Sequence, residues 1–203
     1  MLRNSILEIF SETWPTILLS MVILISMRIV KLIKTKEKVI LYKELFALLF
    51  VIYVLCLFYV VTFQDVSWST SNFIPFQEMF RYDFGSRLFI KNVLGNMLLF
   101  VPYGFFMGYY LKLKKPLAIL LLSLLVSGTI ETTQLLIGRV FDVDDIFLNI
   151  IGGTIGFLLY KLLQDIKDLL PPILKKPIIY NIILITAIIL VILYLANIIR
   201  LGV

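Results

Sequence analysis

The chain has 203 residues, of which 61% are apolar and only 16% are charged, and its mean hydropathy is +1.01. Soluble domains are about 45–50% apolar and about 25% charged, and one core of this size could not bury so much apolar surface. The composition excludes a soluble domain, so the net charge of +6 does not indicate nucleic-acid binding. We expect an integral membrane protein.

Six apolar stretches predict six membrane-spanning helices. They cover residues 14–33, 46–63, 93–111, 116–137, 146–163 and 178–199. A span needs about 20 apolar residues, so the segments between them are too short for a soluble catalytic domain. Residues 1–13 repeat apolar side chains at helical spacing, which predicts a short interfacial helix before the first span. The expected fold is an all-α polytopic bundle forming one membrane domain over residues 1–203.

The distribution of basic residues predicts the orientation of the spans. Twelve of the 19 Lys and Arg residues fall in the segments after the first, third and fifth spans, and six fall on the other side. Cytoplasmic loops of membrane proteins are enriched in Lys and Arg. We therefore expect a multi-pass protein of the cytoplasmic membrane with both termini outside, and nine of the 13 acidic residues at the outer face.

The outer segment 64–91 is too long for a hairpin turn and rich in aromatic side chains, beginning with Trp68, Phe73 and Phe76. Such a segment is typical of a loop that lies on the membrane or re-enters it. It either roofs a site built by the third to fifth spans or only anchors to lipid. The sequence leaves both interpretations open.

A polar constellation surrounds the turn between the fourth and fifth spans. Glu131 and Gln134 share a helix face because they are three residues apart. Glu131 lies about 10 Å from the Gly138 end of its helix, where an ionised carboxylate needs a partner or a wet cavity. Otherwise the carboxyl is protonated. Arg139 is the nearest cation in sequence, and an ion pair with Glu131 requires the chain to fold back at Gly138. An acidic run, Asp142, Asp144 and Asp145, follows.

Small residues predict close packing of the third, fourth and fifth spans. Gly104 and Gly108 form one GxxxG step and Gly152 and Gly156 form another, and such steps let helices approach closely. The second step continues a face that begins with Asp145 and Asn149, which we expect to meet Asn92 and Asn96 of the third span. Ser123, in the fourth span, is expected to be exposed to lipid.

Two absences limit the chemistry. The chain has no histidine, and Cys56 is its only cysteine. An intrachain disulfide, His-ligated metals and His-based acid–base catalysis are therefore excluded. Any proton transfer would fall to carboxylates, Lys, Tyr or water.

Three motifs resemble the VanZ-like family of bacterial membrane proteins. They are Asn72-Phe-Ile-Pro-Phe76, then Asn96-x-x-x-Phe-x-Pro-x-Gly104, and finally Glu131-x-x-Gln134 followed by Arg139-x-x-Asp142-x-x-Asp145-x-x-x-Asn149-x-x-Gly152. The resemblance covers a VanZ-like core at residues 72–160. It implies a cell-envelope protein whose relatives lower susceptibility to teicoplanin-type lipoglycopeptides, without implying a mechanism.

Two functions from different classes follow. In the first, an outward-facing polar cleft binds a lipid-linked cell-wall precursor or the lipoglycopeptide, and membrane lipids are the other partners. Its expected binding residues are Asn72, Asn96, Glu131, Gln134, Arg139, Asp142, Asp145 and Asn149. In the second, an intramembrane enzyme acts on a lipid phosphate or pyrophosphate, with Mg²⁺ on Asp142 and Asp145, Glu131 as base and Arg139 as charge stabiliser. The sequence favours the first, because no nucleophile motif or phosphatase signature is present, and no cofactor is established.

Overall fold

The computed structural model describes residues 2–63, 71–77 and 79–196. Its α-helices are α1 (Leu2–Thr35), α2 (Leu41–Phe63), α3 (Arg87–Phe89), α4 (Gly95–Leu111), α5 (Pro116–Leu136), α6 (Val143–Leu169) and α7 (Pro177–Leu195). A π-helical segment, Ile90–Leu94, joins α3 to α4, and a 3₁₀ turn, Pro172–Lys175, precedes α7. Across these ranges no β-strand forms, and a single isolated bridge pairs Asn72 with Asp142.

Six helical stretches are long and apolar enough to cross a membrane, which confirms the predicted all-α membrane fold. They are Ile6–Thr35, Leu41–Thr62, Arg87–Leu111, Pro116–Leu136, Val143–Leu169 and Pro177–Leu195. The third begins six residues earlier than expected and the fifth ends six residues later. The predicted end of the last span, residues 197–199, lies outside the described residues.

The first helix corrects one predicted boundary. Instead of a separate helix over residues 1–13, α1 runs without a break through Pro15 for 34 residues, which is about 50 Å. Proline removes a backbone donor from a helix, but hydroxyl groups around it bond to nearby carbonyls. Thr13 donates to Ile9 (2.6 Å) and Thr16 donates to Thr13 (2.7 Å). The helix continues through the proline between these two bonds.

Residue contacts divide the chain into two compact units, residues 1–60 with 169–203 and residues 61–168. In the first unit, Arg28 donates to the carboxylates of Glu37 (3.0 Å) and Glu44 (2.7 Å). Asn181 of α7 accepts the backbone N–H of Tyr42 at 2.8 Å. The prediction of one membrane domain over residues 1–203 stays a prediction.

The second unit is built on backbone-to-backbone packing of α4 against α6. A Cβ atom at Gly152 would collide with the Met97 carbonyl, and one at Gly104 would collide with the Gly153 carbonyl. A Cβ at Gly156 would lie 2.8 Å from the Phe105 nitrogen. Only glycine fits these positions, so the predicted close packing of the spans is confirmed.

Candidate functional site

The buried face of α5 carries polar side chains into the interior of the second unit. Ile119, Ser123, Ser127 and Glu131 follow one another at four-residue intervals and are all buried. Ser127 accepts a hydrogen bond from the Asn149 amide of α6 at 2.8 Å. The expectation that Ser123 faces lipid is wrong: it is 0% exposed and lies where α5 meets Gly153. The short side chain fits against a glycine, which apolar periodicity alone does not reveal.

A glycine-dependent turn brings the chain back toward Glu131 after α5 ends. Gly138 has a φ of +81°, the left-handed conformation that glycine adopts without strain. The N–H of Arg139 bonds to the Gln134 carbonyl (2.8 Å) and that of Gly138 to the Leu135 carbonyl (3.1 Å). This pattern is the Schellman motif that closes helix C-termini. It reverses the chain direction between α5 and α6.

Glu131 lies beneath this turn and is 2% exposed. Its Oε2 atom accepts the backbone N–H of Asp142 at 2.9 Å. The charges of Asp142, Asp145 and Arg139 are all within electrostatic range of its carboxylate. A buried carboxylate with a fixed backbone donor therefore ties the inner face of α5 to the start of α6.

Arg139 and Gln134 share a partner other than Glu131. Both donate to the backbone carbonyl of Val61, with a distance of 3.0 Å from Gln134 Nε2. The ion pair between Glu131 and Arg139 does not form among the described residues. The reason is geometric, because the turn at Gly138 directs the guanidinium toward Val61 while Asp142 occupies the carboxylate.

Asp142 is the N-cap of α6 as well as a member of the polar cluster. Its Oδ1 atom accepts the Asp144 N–H at 2.9 Å, the usual capping bond of an aspartate before a helix. The same atom accepts the side-chain amide of Asn72 at 2.9 Å. The carboxylate thus joins the helix start to the long loop.

One described part of that loop, residues 71–77, is bonded along the α5–α6 turn. The Asn72 N–H donates to the Phe141 carbonyl (2.8 Å), and the Val143 N–H donates to the Asn72 carbonyl (3.1 Å). The ring of Phe73 stacks on that of Phe141 with centroids 5.1 Å apart. These contacts favour the interpretation in which the loop covers the site.

Asp144 is a site residue that the sequence reasoning did not select. It is 1% exposed, and its carboxylate accepts the backbone N–H groups of Phe76 and Met79, the latter at 2.9 Å. A buried carboxylate with two backbone donors is strongly held. The sequence predicts its position near the start of this span, but it does not predict its partners, Met79 and Phe76, which lie 65 and 68 residues away.

Asp145 and Asn96 connect α6 to α4. The Asn96 side-chain amide donates to Asp145 Oδ1, as the predicted meeting of these two faces requires. No group of three or more His, Cys, Asp or Glu side chains in the described ranges is placed to hold a metal ion. One carboxylate oxygen of Asp142 and one of Asp145 accept protein N–H groups.

Comparison with known families decides the assignment. A family model described as VanZ/LLP1 matches residues 50–164, more than half of the chain. The chain belongs to the VanZ/LLP1 family. No curated protein matches it, and no solved structure matches it. The VanZ/LLP1 match confirms the resemblance, begins before the expected core at residue 72, and largely coincides with the second compact unit.

Within this VanZ-like unit the eight predicted binding residues fall into connected groups. Asn72, Asp142 and Glu131 form one chain of contacts, Asn96 and Asp145 form a second, and Gln134 and Arg139 meet at Val61. Asn149 bonds to Ser127 one turn deeper along α6. The protein is therefore a VanZ-like membrane protein of the cell envelope, from a family linked to resistance.

Proposed function

We propose that this protein binds the head group of a lipid-linked envelope molecule or of a lipoglycopeptide at the polar cluster around the α5–α6 turn, and so contributes to teicoplanin-type resistance. The observation that carries the proposal is the convergence of half-buried polar side chains from three sources. Asn96 comes from α4, Arg139 from the turn, and Asp142 and Asp145 from the start of α6.

Placement at the ends of the spans supports an amphiphilic ligand. The cluster lies where the α5 span ends at Leu136 and the α6 span begins at Val143. A ligand anchored in the bilayer by an apolar tail presents its head group at this level.

The charge of the cluster bears on the ligand's chemistry. Four carboxylates, those of Glu131, Asp142, Asp144 and Asp145, surround one guanidinium, that of Arg139. The acidic excess favours a ligand that brings amine or amide donors to Asp142 and Asp145. A phosphate would depend on Arg139, whose planar fork suits oxyanions.

The alternative, a metal-dependent enzyme acting on a lipid phosphate, has less support. Its expected metal ligands, Asp142 and Asp145, are engaged by backbone and side-chain amides. Its expected base, Glu131, is bonded to a backbone N–H beneath the turn. The bonds of these three carboxyl groups stabilise the polar cluster. Ligand binding, unlike catalysis by these groups, requires only that some of the cluster stays accessible.

Binding to the full chain in lipid nanodiscs tests the proposal. We expect teicoplanin or a polyprenyl-diphosphate lipid to bind, and Asp145→Asn or Arg139→Gln to weaken binding by about tenfold, because each removes a charge-assisted hydrogen bond. Asp165→Asn, on the exposed face of α6, is the matched control and should bind as the parent does. Unchanged affinity in both folded site variants, or no binding of either probe, would contradict the proposal. Turnover of the lipid with Mg²⁺ would favour the enzyme.

A further inference from the structure

Part of the long loop lies at the membrane boundary without belonging to a span. Asn72 is bonded to the residues just before α6, and Asp144 in the first turn of α6 holds the N–H groups of Phe76 and Met79. The next span begins at Arg87. Residues 72–77 and 79 are therefore bonded to the start of the α6 span, and residues 80–86 connect them to the start of the next span.

Large apolar side chains on this part of the loop point away from the protein. Phe73 is 65% exposed, Ile74 64%, Phe80 78% and Phe84 92%. We call these four residues the apolar ridge. Exposure to water of this much apolar surface is unfavourable in proportion to its area, and contiguous patches of this kind mark surfaces with a partner.

The base of the ridge is fixed, so the exposed side chains are held in place rather than free to fold back. Phe76, between the two halves of the ridge, is 47% exposed and stacks one face on Phe147 of α6, with ring centroids 5.1 Å apart. Phe73 rests one face on Phe141. The same segment thus has a side bonded to the protein and a side presented outward.

We propose that the apolar ridge inserts into the bilayer at the end of the α5 and α6 spans, with lipid acyl chains as its partner. Apolar side chains of interfacial segments are typically buried at the boundary between head groups and acyl chains. The loop then covers the polar cluster and is itself seated in the leaflet. A lipid-anchored molecule could approach the cluster laterally along the membrane. The inference about lipid contact does not depend on the proposed function.

Fluorescence quenching of a single tryptophan tests it. The full chain is reconstituted into phosphatidylcholine vesicles with Trp14→Phe and Trp68→Phe, and Phe84→Trp or Phe80→Trp supplies the probe. Lys38→Trp, at an exposed position in the charged α1–α2 loop, is the matched control. Lipids brominated on the upper acyl chain report contact with the bilayer, and acrylamide reports contact with water.

We expect brominated lipid to quench both ridge probes and acrylamide to quench them about threefold less than the Lys38 control, as for interfacial aromatics. Two positions are tested so that a folding defect at one does not decide the outcome. Acrylamide quenching equal to that of the control would overturn the inference. Probes shielded from both quenchers would also overturn it, because the ridge would then pack against protein, such as a second copy of the chain.

Discussion

Replacing Gly152 with alanine should separate α4 from α6 and destabilise the protein strongly. The added methyl would collide with the Met97 carbonyl oxygen, and it would lie 2.9 Å from the carbonyl carbon and 3.2 Å from the Phe100 Cβ. Backbone cannot rotate aside as a side chain can, so the helices must move apart by about 1.5 Å to restore a contact of about 3.5 Å. Overpacking of this kind costs about 1–3 kcal/mol.

Gly128→Ala is the matched control, because it makes the same change in α5 where nothing lies within 4 Å of the added methyl. Alanine is favoured over glycine inside a helix by about 0.5–1 kcal/mol, so this variant should be neutral or more stable. The same gain applies to Gly152→Ala, so the two variants should differ by the overpacking cost alone, about 1–3 kcal/mol in free energy of unfolding.

Reversible unfolding in mixed micelles with increasing dodecyl sulfate, followed by circular dichroism, measures that difference. Gly104→Ala, on the opposite side of the same helix contact, should resemble Gly152→Ala, because its methyl would meet the Gly153 backbone. Equal unfolding midpoints for Gly152→Ala and Gly128→Ala would refute the packing of α4 on α6 described above.

Three further predictions concern topology and the cluster. In a background without Cys56, Ser69→Cys should react with an impermeant maleimide added from outside, and Lys114→Cys should react only after permeabilisation. The reverse pattern would show that the predicted orientation is inverted. Asp144→Asn should raise the hydrogen–deuterium exchange rate of residues 72–79, because it weakens the acceptor of two loop amides. Asp165→Asn should leave that rate unchanged. Equal exchange in the two variants would show that Asp144 does not hold the loop. Ser127→Ala should lower the free energy of unfolding by about 1–3 kcal/mol, because it strands a buried amide; unchanged stability would mean that this bond contributes nothing.

The helices could be read from the sequence because each span depends on a long apolar run. Some helix boundaries were predicted wrongly. Pro15 does not end α1, although a proline removes one backbone donor from a helix. The exposure of Ser123 was predicted wrongly, because its small side chain packs against Gly153 and is buried by that contact.

The sequence predicted which residues belong to the candidate site, but it did not predict which of them bond to each other. The motif resemblance selected Glu131, Asp142 and Asn72, which the structure joins by hydrogen bonds. Glu131 and Arg139 do not form an ion pair, because the partner of Arg139 is a carbonyl 78 residues away in sequence. Contacts between residues so far apart in sequence depend on how whole helices pack, and the spacing of residues along the chain does not predict that packing.

The central claim is that the cluster acts through its charges, and one double variant tests it most directly. Glu131→Gln keeps an oxygen that can accept the Asp142 N–H, and Arg139→Gln keeps a side-chain N–H donor while removing the charge. Folding of the variant is checked by its level in the membrane. The measurement is the teicoplanin tolerance of a susceptible host expressing this variant, at a membrane level matched to the parent chain. We predict that the variant reaches the membrane and confers no tolerance. Tolerance equal to that of the parent would contradict the account and make both residues structural.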